Sequence, residues 1–205
     1  MRRILLGLAL TLAAPPAWAQ TRDASVAQCQ GNDPDISIAG CTALIQSGRE
    51  PPAVLAAVYY NRGRAEVAKG LNDQAITDLT KAIALEPNNP IPYFTRGSAY
   101  YIKNLPDPAI ADLTKAIALK PDFADSYYSR GAVYYDKNLY DQAIADLTKA
   151  IALKPDIPEA YATRGAAYES KGLKNQAVAD YRATLKFDPN NKVAQDGLKR
   201  LGATP

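Results

Sequence analysis

An Arg-Gly pair returns every 34 residues, at Arg62-Gly63, Arg96-Gly97, Arg130-Gly131 and Arg164-Gly165, and residues 109–122 recur unchanged as 143–156. Such a period means that one small unit is built several times and packs only on its neighbours. The chain therefore folds as a stacked array and not around one central core.

Inside each unit, apolar and small residues fall at helical spacing in two runs, separated by a short turn and ended by a proline. In the third unit Tyr127, Gly131 and Tyr134 share a stripe of the first helix, and Asn138-Leu139-Tyr140 turns the chain. Asp141 is expected to cap the second helix, whose buried stripe is Ala143, Leu147 and Ala150 before Pro155 stops it. In the second unit Asp107 and Pro108 are expected at the N-cap and the first helical position. Glycine and alanine at these places let two helices approach closely. No hairpin alone buries both stripes, so stacked neighbours share the core.

The ordered signature of Tyr, Gly, Tyr, Ala, an apolar residue, Ala and Pro resembles the tetratricopeptide repeat family. It is carried by Tyr59, Gly63, Ala75, Leu79, Ala82 and Pro87, then by Tyr93, Gly97, Tyr100, Ala109, Leu113, Ala116 and Pro121. The third unit repeats it with Tyr127 to Pro155, and the fourth has Tyr161, Gly165, Tyr168, Ala177, Tyr181 and Pro189. The resemblance implies an all-α, right-handed solenoid of four helical hairpins at 56–89, 90–123, 124–157 and 158–191. Around this repeat domain, 56–191, an N-terminal cap with a partial repeat occupies 20–55, and a capping helix and tail occupy 192–205. Two departures stand out: Glu66 replaces the first unit's second aromatic and is expected to be exposed or hydrogen-bonded, and Thr184 replaces a small alanine, predicting looser packing there.

In the N-terminal cap, residues 35–45 align with 73–83 at an offset of 38, a truncated second helix. The insertion holds Pro51-Pro52, expected to break the helix phase. At the other end Val193, Ala194, Leu198 and Leu201 recur at helical spacing among charged residues. Cys29 and Cys41 are the only cysteines, and Cys41 falls at the buried position of Leu79. A disulfide between them closes a short loop and restricts the unfolded chain by roughly 3 kcal/mol in the entropic account. An unpaired or intermolecular thiol is the alternative, and no Cys-x-x-Cys supports redox catalysis.

Residues 1–19 have the form of a Sec-type signal peptide: Arg2 and Arg3, an apolar run, and Ala17-Trp18-Ala19 ahead of Gln20. Pro15-Pro16 interrupts the run well short of a membrane span. The expected destination is bacterial, periplasmic or secreted, with no membrane insertion once the leader is removed. Arg2 and Arg3 leave with it, so 22 basic groups face 21 acidic ones, without a block of like charge. No nucleic-acid footprint is present.

The chain has no histidine, which removes His-based triads, His general acids and bases and His-ligated metals; two cysteines cannot build a four-thiolate zinc site. No cofactor, metal or catalytic residue is assigned. Paired aspartates such as Asp73 with Asp78, or Asp107 with Asp112, recur in successive units at capping or surface positions, whereas a catalytic group is expected once. The arginines at 62, 96, 130 and 164 form either a basic ladder or, as the simpler reading, solvated salt bridges to Asp78, Asp112, Asp146 and Asp180.

The expected role is non-enzymatic. The resemblance implies a concave face lined by first helices that binds a partner protein or peptide, here Tyr60, Arg64, Phe94, Tyr101, Tyr128 and Tyr135. The family's clamp for an acidic C-terminus is not carried over, since Tyr60, Arg64, Thr95, Asp125 and Ser129 stand where Lys and Asn pairs are needed. A self-associating scaffold using the ends or convex face is the alternative, and the oligomeric state is left open. Protein recovered from the envelope of its own cells is expected to begin at Gln20 on N-terminal sequencing; a first residue of Met1 removes the export reading.

Overall fold

The computed structural model describes residues 17–204, with side chains from residue 21 onward. The predicted leader lies outside the described residues except for the backbone of its last three, which open the first helix. Among the described residues the fold is all-α, with eleven helices in the order α1 (Ala17–Cys29), α2 (Pro34–Ser47), α3 (Pro52–Ala68), α4 (Asn72–Leu85), α5 (Pro90–Ile102), α6 (Pro106–Leu119), α7 (Ala124–Asp136), α8 (Tyr140–Leu153), α9 (Pro158–Ser170), α10 (Lys174–Phe187) and α11 (Lys192–Arg200).

Each hairpin turns through the same hydrogen bonds. In the third unit the Asn138 N–H donates to Tyr135 O at 2.8 Å and the Leu139 N–H to Tyr134 O at 2.9 Å, closing the carbonyls that α7 leaves open. The turn residue adopts positive φ in all four units: Gly70 at 75°, Asn104 at 57°, Asn138 at 59° and Gly172 at 73°. Asparagine and glycine are the residues that tolerate this conformation. The following leucine is then the N-cap of the second helix, at Leu71, Leu105, Leu139 and Leu173, without a side-chain cap bond. Asp107 and Asp141 are therefore not N-caps as expected. They lie in the first turn, where they favour the positive helix end and receive Lys137 and Lys171 from the next hairpin.

Close helix approach follows from the glycines: a Cβ on Gly131 would stand 2.8 Å from Leu147 Cγ. Leu79, Leu113 and Leu147 are fully buried against this surface, and Tyr181 replaces them in the last unit at 0% exposure. Thr184 is likewise fully buried, with its hydroxyl donating to Asp180 O at 3.0 Å. The core is a row of local clusters, one joining Leu113 to Val133, another Leu147 to Ile157 and Ala160, and a last one Tyr181 to Ala194 and Leu198.

A side-chain staple ties each hairpin to its neighbour. Arg130 Nε and Nη2 donate to Asp146 at 2.7 and 2.9 Å within the unit, and Nη1 donates to Thr114 Oγ1 of the preceding unit at 2.9 Å. Arg62, Arg96 and Arg164 repeat the arrangement with Asp78 and Thr42, Asp112 and Thr80, and Asp180 and Thr148. These pairs are not solvated as expected: the four aspartates are 3–7% exposed. Tyrosine rings lie against the guanidinium groups, Tyr127 and Tyr134 in the case of Arg130.

At the N-terminus α2 takes the second-helix place and α1 precedes it. Thr42 and Asp35 of α2 receive Arg62 and Lys69, continuing both ladders of contacts. Pro51 is the N-cap of α3 and Pro52 its first residue, so the inserted residues lengthen α3 to 17 residues against 13 in α5 and begin the helix instead of breaking it. Cys29 at the end of α1 is disulfide-bonded to Cys41 in α2, and both are buried with Leu44 and Val58. Gly40 allows this contact, since a Cβ there would meet Gln28 Cβ at 2.5 Å.

Glu66 corrects the expectation of an exposed or hydrogen-bonded carboxylate. It is 7% exposed, its Oε2 has no hydrogen-bond partner, and Arg62 Nε stands 3.9 Å from Oε1. Burial and then the charge of Asp78 push its carboxyl up to about 7, against the weaker pull of Arg62 and Lys81. Because the folded value exceeds the unfolded one, the stability Glu66 contributes is present below about pH 4.5 and is lost as pH rises through 7. Glu66→Gln is expected to remove that slope in thermal unfolding followed by circular dichroism, stabilising the protein at pH 8 by about 1–2 kcal/mol more than at pH 5. An equal effect at both pH values contradicts the buried, protonated carboxyl.

Candidate peptide-binding face

First helices touch one another along the array, α1 with α3, α3 with α5, α5 with α7, α7 with α9 and α9 with α11, whereas second helices contact only first helices. The array therefore bends with its first helices inside. On this inner side a groove of about 500 Å³ runs across α5, α7 and α9 to α11. Tyr101, Tyr128 and Tyr135 form its aromatic wall, Ser129, Ala132, Ala162 and Ala166 its floor, and Asp136, Glu159 and Thr163 its polar rim, with Asn191 and Val193 at the end.

The space opens where the fourth unit carries Ala162 in place of the aromatic ring of the other units. Tyr60, Phe94, Tyr128 and Ala162 occupy equivalent places, as do Arg64, Ser98, Ala132 and Ala166. Two alanines on α9 thus face two tyrosines on α7 across the gap.

Electrostatics sharpen the wall. The Tyr101 hydroxyl donates to Asp136 Oδ2. Burial, then this hydrogen bond and the Asp136 charge, hold its proton far above the usual phenol range. Burial and the Glu159 carboxylate raise Tyr128 as well. Both rings remain neutral hydrogen-bonding groups at any physiological pH, and Tyr135 is braced by Tyr140 with ring centroids 5.8 Å apart.

Of the six residues singled out in the sequence, the groove gathers Tyr101, Tyr128 and Tyr135 and not the other three. Phe94 packs on Phe123 at 5.0 Å between centroids and belongs to the cluster around Leu113 and Val133. Arg64 Nη2 reaches back to Gly31 O at 3.4 Å, tying α3 to the N-terminal hairpin. Tyr60 is half-buried on α3, away from the groove. Glu159, Thr163, Asn191 and Val193 line it without having been foreseen. The signal for Val193 was the apolar spacing in α11, read only as a cap.

Carboxylate pairs elsewhere are occupied: Asp78 and Asp112 by Arg62 and Arg96, Asp73 and Asp107 by Lys103 and Lys137. Among the described residues no three His, Cys, Asp or Glu side chains gather as a metal site, and no helix is long and apolar enough to cross a membrane.

The family profile of the TPR repeat matches residues 63–104, 107–138 and 131–172, and that of the tetratricopeptide repeat matches 158–191. The chain belongs to the tetratricopeptide repeat family. Among solved structures, this array is similar to the crystal structure of MamA, with 30% identity, 77% of this chain and 90% of that chain covered and a TM-score of 0.69. It also shares the fold of YrrB, described as a TPR protein with an unusual peptide-binding site, at 17% identity, 87% and 90% coverage and a TM-score of 0.72. The first TPR of Spaghetti (RPAP3), bound to the HSP90 peptide SRMEEVD, matches at 26% identity over 57% of this chain and 93% of that one, with a TM-score of 0.56. No curated protein matches the chain. Tetratricopeptide arrays of this kind are protein-interaction modules, which gives the repeat array here a general adaptor role.

Proposed function

We propose that this protein is a non-enzymatic adaptor of the cell envelope that seats an extended segment of a partner protein in the groove on its concave face. The observation that carries the reading is the convergence of Tyr101, Tyr128 and Tyr135 from neighbouring first helices on a space of about 500 Å³ kept open by Ala162 and Ala166. Rings held by Asp136 and Tyr140 are pre-ordered, so little conformational freedom is lost on binding, and tyrosine combines apolar area with a hydroxyl. Residues 1–19 and the buried Cys29–Cys41 bond support export to an oxidising compartment.

The test is capture of partners from the envelope fraction by the protein and by a variant carrying Tyr101→Ala, Tyr128→Ala and Tyr135→Ala, with Tyr60→Ala as control. Loss of a captured partner by the triple variant, with helicity unchanged and affinity reduced at least about 30-fold, is expected from removing three aromatic anchors. Equal capture by the folded triple variant moves the site to another surface.

A further inference from the structure

The concave groove is acidic without compensation. Asp136 at the end of α7 and Glu159 in the first turn of α9 both line it, and no lysine or arginine does. Among the described residues neither carboxylate forms an ion pair, although both are exposed. They differ from the two repeated ladders, in which Asp35, Asp73, Asp107 and Asp141 each hold a lysine and Asp78, Asp112, Asp146 and Asp180 each hold an arginine. Asp136 takes one hydrogen bond, from the Tyr101 hydroxyl, and its second oxygen is available.

The two bare carboxylates lie beside the three tyrosine rings. A ring face attracts a cation by its quadrupole, and the aliphatic stem of a lysine or arginine packs on the same face. Within this protein the pairing is already used: every staple arginine rests on tyrosine while its guanidinium meets an aspartate. The Glu159 charge is felt at the Tyr128 hydroxyl and that of Asp136 at Tyr101, so ring and carboxylate share one local field.

We propose that the groove recognises basic side chains, lysine or arginine, of an extended partner segment, with one cation at Asp136 beside Tyr101 and Tyr135 and another at Glu159 beside Tyr128. The inference rests on the concave groove being the partner site. An acidic segment would bring like charge to two carboxylates with no cation to offset it, so charge complementarity excludes it.

A random dodecapeptide phage library selected on the purified protein, followed by fluorescence anisotropy on individual selected peptides, tests this. Selected peptides are expected to carry lysine or arginine and to lose affinity at least about 10-fold when that residue is changed to glutamine. Asp136→Asn together with Glu159→Gln, which keeps an acceptor for Tyr101, is expected to weaken binding at least about 5-fold and flatten its salt dependence. Asp141→Asn, on the distant lysine ladder, leaves affinity unchanged. Acidic or uncharged peptides that need the three tyrosines overturn the basic-residue inference while leaving the groove in place. Peptides bound equally by the tyrosine triple variant, or no selected peptide at all, overturn the inference together with the groove.

Discussion

The bidentate arginine–aspartate pair, repeated four times, is the interaction on which the array depends. A buried carboxylate demands a partner, and the planar fork of arginine satisfies both its oxygens at 2.7 and 2.9 Å in the third unit. The remaining nitrogen reaches the threonine of the preceding second helix at 2.9 Å, so one side chain fixes three helices. Lysine could supply the charge but not this geometry. Removing an aspartate would leave a largely buried guanidinium unpaired, a change of about 3 kcal/mol or more by comparison with other buried pairs. The lysine ladder at the hairpin tips differs, because its aspartates are 77–83% exposed and solvent screens the pairs.

That staple also explains why Glu66 is uncomfortable. In the other units the equivalent place is Tyr100, Tyr134 or Tyr168, each with its ring against the staple arginine. A glutamate there puts a second carboxylate near Asp78, and Arg62 is already engaged by Asp78 and Thr42. Protonation is the remaining way to reduce the cost of burial.

The 34-residue period made the hairpins legible, because each structural role recurs at a fixed position and errors in one unit are corrected by the next. What the period could not carry was anything that differs from local expectation through tertiary contact. Asp141 looked like a cap by composition, but positive φ at Asn138 advanced the helix start and assigned the aspartate to the neighbouring lysine. Pro51-Pro52 looked like a break, but proline is at home in a first helical turn. The arginines looked solvated since sequence shows charge and not depth. In the groove, Tyr101, Tyr128 and Tyr135 were legible as inner-face positions; the displacement of Phe94 was not, since it follows from the distant ring of Phe123.

Framework and groove obey opposite rules along the same helices. Positions that join helices are nearly invariant between units: Arg, Gly, Ala and Asp return at the same register. Inner-face positions change from unit to unit, as with Val67, Tyr101, Tyr135 and Glu169, or Ala57, Ile91, Asp125 and Glu159. The repeated contacts hold the backbone whatever occupies the inner face, so that face is free to differ without loss of fold. Where it differs most, between the tyrosines of α7 and the alanines of α9, the groove opens, and where Glu169 stands in place of Tyr135 the carboxylate is drawn into the C-terminal cap by Arg200 at 2.8 Å and Tyr181 at 2.5 Å. The cap thus consumes the acidic group that would otherwise extend the groove, whose lining carboxylates are Asp136 and Glu159.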